Sequence, residues 1–165
     1  MTVIVVMGVA GSGKTTVGTL LAGKLGVEYG EADMFHPAAN IKKMSSGVPL
    51  TDDDRLPWLN AIAEWIRAHQ DSGGVVSCSA LKRRYRDVLR TGGDVVFLHL
   101  RGAKKLIAER TNSRRGHFMP ASLVDSQFAD LEPLQPDERG LTLDSLDPAE
   151  EIVDAALTTL AKEPT

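Results

Sequence analysis

The 165-residue chain contains one cysteine, Cys78, so it cannot form an internal disulfide and nothing in its cysteine usage points to export. It has no excess of basic residues. Nineteen Lys and Arg face 22 Asp and Glu, a formal net charge of -3, which argues against a general nucleic-acid binder. It has no long hydrophobic run either. The N-terminal apolar stretch is far too short to span a membrane, and no basic segment precedes it. No internal repeat or low-complexity segment occurs. Together these absences predict a cytoplasmic protein without nucleic-acid or membrane partners. The proportions that remain, 42% hydrophobic and 25% charged, are ordinary for a soluble chain, and the length suits a single domain over residues 1–165.

What is present is an alternation of two patterns. "TVIVVM" (2–7), "GVVSCS" (74–79) and "DVVFLHL" (94–100) are short, β-branched and bounded by turn residues, as strands buried on both faces should be. "VEYGEAD" (27–33) is a weaker strand and "GLTLDS" (140–145) a last one. Between them run helical stretches. "KTTVGTLLAGKLG" aligns Val17, Leu20, Leu21 and Leu25 and stops at Gly26, while "RLPWLNAIAEWIRAHQ" aligns Leu59, Ile62, Trp65 and Ile66. Further helices are expected in "LKRRYRDVLR", "AKKLIAERTNSRR", "ASLVDSQFADLE" and "PAEEIVDAALTTLAKE". Strand-helix alternation throughout predicts an α/β fold with a parallel sheet. Residues 34–56 and 111–136 are longer than plain connections need, and mark an acceptor-side region and a lid.

"GVAGSGKTT" (8–16) follows the first strand and opens the first helix, the context in which G-x-x-x-x-G-K-T binds nucleotide phosphates. Its backbone N–H groups turn toward phosphate oxygens, Lys14 reaches the β- and γ-phosphates, and the Thr15 hydroxyl meets Mg²⁺. The GTPase signature N-K-x-D is absent, and neither "GVVSCS" nor "DVVFLHL" ends in the apolar run plus Asp of motor ATPases. Those two absences favour a small kinase over a switch or a motor.

A carboxylate beside the cradle, Asp33, stands at the carboxyl end of the second strand, where such folds bind ligands. It would take a proton from an attacking hydroxyl or hold a metal-bound water. His36 either caps the helix beginning near Ala38 or touches the ligand. "TDDDR" puts three acids at a helix start, as the dipole favours, and leaves Arg55 in need of an anion, either an acidic neighbour or a substrate carboxylate. Lys82 and Arg86 lie four apart in a basic cluster, which is a solvated face or one wall of the crevice. Arg110 and Arg114, also four apart, suit a lid that stabilises the charge of phosphoryl transfer.

Taken in order, "MGVAGSGKTT", "EADMFHPAANIKKMSSGVPLTDDDRLPWL", "CSALKRRYRDVLR" and "RGHFMPASLVDSQFADLEPL" resemble the bacterial-type gluconokinases over residues 3–145. The resemblance implies the nucleoside-monophosphate-kinase-like P-loop fold, with a five-stranded parallel sheet and a lid. It also implies ATP with Mg²⁺, transfer to the 6-hydroxyl of gluconate, and a homodimer. On matching positions it implies ATP binding by Gly8, Val9, Ala10, Gly11, Ser12, Gly13, Lys14, Thr15 and Thr16. Asp33 would lie by the acceptor hydroxyl, with His36, Arg55, Lys82 and Arg86 around gluconate and Arg110 and Arg114 near the phosphates. His117 and Gln127 belong to the matching lid motif and are expected on the substrate side. The sequence departs from the family in reading Ala before Asp33, where many members read Gly. Kinases of shikimate, adenylylsulfate or a nucleoside monophosphate share the fold, and a non-catalytic nucleotide-binding regulator is a further alternative. An adenine-containing acceptor would require an aromatic clamp, for which Phe35 and Trp58 are the candidates.

Overall fold

The computed structural model describes residues 2–102, Ile107 and residues 121–162. Five strands, β1 (Val3–Met7), β2 (Glu28–Glu31), β3 (Gly74–Ser77), β4 (Val95–Arg101) and β5 (Gly140–Asp144), form one sheet in the order β2-β3-β1-β4-β5. Every neighbouring pair is parallel, as the alternating sequence predicts. Six helices lie among the described residues: α1 (Lys14–Leu25), α2 (Ala38–Ser45), α3 (Asp52–Ala68), α4 (Arg83–Arg90), α5 (Ala121–Asp130) and α6 (Ala149–Lys162). The predicted helix in "AKKLIAERTNSRR" falls almost wholly outside the described residues.

The unbroken apolar runs are explained by helices on both faces of the sheet. Val3, Val5 and Met7 of β1 pack with Trp58, Leu59, Ile62 and Ile66 of α3 and with Tyr85 and Leu89 of α4. Ile4 and Val6 turn the other way, onto Val17, Leu21 and Ala22 of α1 and Ile152, Val153 and Ala156 of α6. Because successive strand residues point to opposite faces, both faces demand apolar side chains, and period-2 alternation disappears. The outer strand β5 does alternate, with Leu141 and Leu143 half-buried between exposed Gly140, Thr142 and Asp144.

Helix ends follow local chemistry. Gly26 terminates α1 in the left-handed conformation, φ 68°, with its N–H on the carbonyls of Ala22 and Gly23. The buried stripe of α1 is narrower than predicted: Val17 and Leu21 are covered, whereas Leu25 is exposed. The start of α3 is a capping box. Thr51 Oγ1 accepts from the Asp54 N–H at 3.1 Å and Asp54 Oδ2 accepts from the Thr51 N–H at 2.9 Å.

One ion pair is wholly internal. Arg86 and the side chain of Glu138 have no exposure, and they meet through Nε–Oε1 at 2.7 Å and Nη2–Oε2 at 3.0 Å. Burial alone would raise the Glu138 carboxyl, but bonds from Arg86, the Gln135 N–H and Arg90 outweigh it and hold it below its ordinary range. His99 in β4 is also buried. Burial, reinforced by the charges of Arg86 and Arg101, pushes it from 6.5 to about 4.

Two predictions follow from these buried groups. Glu138→Ala strands a buried guanidinium and should cost about 3–5 kcal/mol in urea unfolding. Asp154→Asn, which removes the exposed Lys24–Asp154 pair, should cost less than about 1 kcal/mol. Equal losses would contradict the structural role of the buried pair. Because the folded pKa of His99 is depressed, the unfolded chain binds more protons between pH 6.5 and about 4, and stability falls as pH drops through that window. In His99→Leu the fall in melting temperature across the same window should be visibly shallower. An unchanged slope would remove His99 from the acid response.

Candidate active site

The parallel sheet brings every strand's carboxyl end to one edge, and the glycine loop sits at the centre of that edge, after β1. Gly8 has φ +150°, and a Cβ there would lie 2.8 Å from the Leu100 carbonyl oxygen, too close for any side chain. Gly13, at φ 94°, turns the chain into α1. The Gly8 N–H donates to the Ser79 carbonyl at 3.3 Å, tying the loop to the segment after β3. Lys14 Nζ donates to the carbonyls of Gly8 and Val9, each at 3.0 Å, so its ammonium lies over the loop that it serves.

Behind the loop runs a chain of hydroxyls ending on a carboxylate. Thr15 Oγ1 donates to Glu31 Oε1 at 2.7 Å, and the Tyr29 hydroxyl donates to the same oxygen. The Tyr29 hydroxyl also lies 2.7 Å from Ser77 Oγ, which donates to the Lys14 carbonyl at 3.1 Å. Burial, then the hydrogen bond to Glu31, pushes Tyr29 up to about 12, so it remains a donor. On the far side of the loop a cleft of about 260 Å³ is lined by Gly11, Gly13, Thr16, Ser145 and Asp147, with Ile152 at its base.

On the opposite side, Asp33 is exposed on a 3₁₀ turn, Ala32–Phe35, immediately past β2 rather than on the strand itself. Trp58 holds that turn: its Nε1–H donates to the Ala32 carbonyl at 2.7 Å. His36 stacks on the Trp58 ring with centroids 4.2 Å apart. Pro37, not His36, occupies the N-cap of α2. Asn40 Nδ2 lies 3.3 Å from His36 Nδ1, which puts the ring proton on Nε2, and burial lowers the pKa of His36. Buried Cys78, at the end of β3, feels Lys14 and Asp33 with opposite signs, which places both charges around that strand end.

The described partner of Arg55 is a phenol rather than one of its acidic neighbours. Its Nη1 donates to the Tyr85 hydroxyl at 2.9 Å, and that hydroxyl donates to Asp52. Asp52 also pairs with Lys82 at 3.5 Å and Arg84 at 2.8 Å. The Tyr85 bond, assisted by Lys82 and Arg84, holds the Asp52 carboxyl below its usual range. Burial, then Asp52, pushes Tyr85 up to about 12. The outcome is a polar cluster with three cations around a single carboxylate.

Arg86 does not line this cluster, contrary to expectation. It points inward to Glu138, and its Nη1 donates to the carbonyls of Ala80 at 2.9 Å and Leu81 at 3.3 Å. Ala80 has φ 45°, in the left-handed region costly for a residue with a Cβ. Arg86 therefore supports the turn that carries Lys82, and being fully covered it cannot touch a substrate. Arg110, Arg114 and His117 lie outside the described residues. Gln127 is on α5, where its Oε1 accepts from the Ala10 N–H at 2.6 Å, so its contact is with the glycine loop.

The family model for shikimate kinase matches residues 10–147. A gluconokinase of Gluconobacter oxydans is 51% identical over 139 residues, covering 82% of this chain and 78% of its own. The crystal structure of a gluconokinase from Sinorhizobium meliloti superposes with a TM-score of 0.90 at 48% identity, covering 98% of this chain and 92% of that one. The chain belongs to the gluconokinase family. A sugar kinase from a Janibacter species is also similar, with TM-score 0.92 and 51% identity over 99% of this chain and 96% of that one.

Within this gluconokinase-family fold, three residues escaped sequence reasoning. Glu31 stands two positions before Asp33 and had only that proximity as a signal. Asp52 reads as a helix-capping acid, and Tyr85 carries no local signal of its role. Each is distinguished by partners far away in the sequence. Trp58 is in the core at 3% exposure and is not free to clamp an adenine ring, while Phe35 packs half-buried against the same core. Tyr85→Phe removes the hydroxyl between Arg55 and Asp52. It should raise the acceptor KM several-fold, leave the ATP KM nearly unchanged, and cost about 1 kcal/mol of stability. A rise in the ATP KM alone would move the cluster to the nucleotide side.

Proposed function

We propose that the enzyme transfers the γ-phosphoryl group of ATP to the 6-hydroxyl of D-gluconate, giving 6-phospho-D-gluconate and ADP. The observation that carries this reading is the cationic cluster of Arg55, Lys82 and Arg84 with Tyr85, on the same sheet edge as the glycine loop and Asp33. Gluconate offers one carboxylate and a row of hydroxyls. A guanidinium held by a phenol, with a lysine alongside, supplies an anchor for the former and donors for the latter. Supporting it is membership of a family whose named relatives are gluconokinases.

In this mechanism the gluconate 6-oxygen forms a bond to the γ-phosphorus as the bond to the ADP oxygen breaks, and the hydroxyl proton passes to Asp33. The loop amides and Lys14 hold the phosphates while charge spreads over the transferring group. Arg110 and Arg114 are assigned to the same charge from the lid side. His36, held by its stacking on Trp58, is assigned to the acceptor side. The cleft between the glycine loop and the turn after β5 suits the nucleoside end of ATP.

The residues present fit Mg²⁺, a hard ion that prefers few protein oxygens plus phosphates and water. Thr15 Oγ1 and Glu31 Oε1, 2.7 Å apart beside the loop, are oxygen donors of that kind. When bound there, the ion would neutralise charge on the β- and γ-phosphates. Cytoplasmic location, a single domain and a homodimeric state are proposed with this function, on the family resemblance.

Shikimate is the second acceptor to test, because the matching family model is that of shikimate kinase. ADP release from Mg-ATP should be strong with gluconate and at background with shikimate, adenylylsulfate, AMP or no acceptor. Turnover with shikimate instead would overturn the assignment. Asp33→Asn should lower kcat by about 10²-fold or more, as loss of a positioned base does. Retention within about twofold would sink the proton-acceptor role.

A further inference from the structure

We propose that Gln127 is a positioning residue for the γ-phosphate, holding the Ala10 N–H of the phosphate loop until a nucleoside triphosphate takes it. The proposal rests on the kinase reading but not on the identity of the acceptor.

The contact is short and long-range: Gln127 Oε1 accepts from the Ala10 N–H at 2.6 Å, 117 positions away in the chain. It is not an accident of a loose side chain, because α5 is fastened just after it. Phe128 and Leu131 pack against the cluster of Val9, Leu81 and Ile107, and Val9 belongs to the glycine loop itself. Leu131 lies one residue past α5, and its N–H donates to the Gln127 carbonyl at 3.0 Å, so the anchor follows directly on the turn that carries Gln127. Just past the helix, the Glu132 N–H donates to the Leu81 carbonyl at 2.7 Å, and Glu132 Oε1 accepts from the Arg83 N–H at 2.9 Å. These bonds seat α5 on the turn that carries Lys82.

The direction of approach matters. Gln127 reaches Ala10 from a helix anchored on the Leu81–Arg83 turn, on the acceptor side of the loop. The cleft lined by Ser145 and Asp147 lies on the other side. A triphosphate lying along the loop must project its γ-phosphate toward the acceptor for transfer to occur. In this proposal Ala10 is the loop amide that meets the terminal phosphate, and Gln127 is its neutral occupant. An anionic phosphate oxygen is a stronger acceptor than an amide carbonyl, so it displaces Oε1. The carboxamide then turns its NH₂ to the same oxygen and orients the phosphate for in-line attack. A diphosphate has no group at this position and leaves the Ala10–Gln127 bond intact.

The test is calorimetric titration of ADP and of the non-hydrolysable β,γ-imido analogue of ATP, each with Mg²⁺ and without acceptor. It is run on the unaltered enzyme, Gln127→Ala and Gln127→Glu, with kcat measured in parallel. Both variants should bind ADP within about twofold of the unaltered enzyme. Gln127→Glu, which sets a carboxylate against the γ-phosphate, should weaken the analogue at least about tenfold. Gln127→Ala should lower kcat at least about tenfold, as loss of an oriented donor does. Equal weakening of ADP and the analogue would reduce Gln127 to a brace for the loop and overturn the proposal. Unaltered affinity and kcat in both variants would overturn it as well. Because the nucleotide comparison contains no acceptor, its result stands apart from whether gluconate is the substrate.

Discussion

Parallel pairing of β1 with both β3 and β4 is the constraint on which the rest of this structure depends. The register Val3–Gly74 on one side and Val3–Val95 on the other aligns three strand ends around one point. Met7 delivers the chain to that point, and the glycine loop forms there because no side chain can be placed between Gly8 and the Leu100 carbonyl. Everything chemical hangs from neighbouring strand ends: Glu31 and Asp33 after β2, Lys82 after β3, Ser145 and Asp147 after β5. The sheet can hold this arrangement because its two faces are sealed by separate apolar layers, one under α3 and α4, the other under α1 and α6.

Upon that frame, charge is sorted by burial. Arg86 and Glu138 are a fully covered pair that fixes a strained turn, and their neighbours Arg83, Arg90, Asp87 and Asp137 continue the network toward the surface. Next to it, Arg55, Lys82 and Arg84 stay partly or largely exposed and converge on Asp52 through or beside Tyr85. The first network gives the turn its shape; the second is left available to an anion. Two basic residues four apart in one motif, Lys82 and Arg86, thus end in unrelated roles.

Side chains from separate elements tie the glycine loop to the segments around it. Tyr29 and Ser77 tie Glu31 to the carbonyl of Lys14, Trp58 pins the turn beneath Asp33, and Gln127 bridges α5 to the loop. Tyr29, Ser77 and Trp58 each have a second bond or a stacked partner that restricts their rotamers, which is how a site built on short turns is kept in register.

The sequence by itself determined the sheet, the phosphate loop and the helix caps at Thr51 and Gly26. Each of these is written in neighbouring residues: a β-branched run, a glycine spacing, Thr51 three before Asp54, Gly26 after a helical stripe. Only the tertiary structure decided the direction of each polar side chain. Arg86 is buried because Glu138, 52 positions later, returns beneath α4 to meet it. His36 stacks rather than caps because α3 brings Trp58 beside it. Gln127 faces the loop because Leu131 and Phe128 anchor its helix on Val9. A local pattern fixes where a backbone turns, but a charged or amide side chain chooses its partner by distance in space, and long-range packing sets that distance.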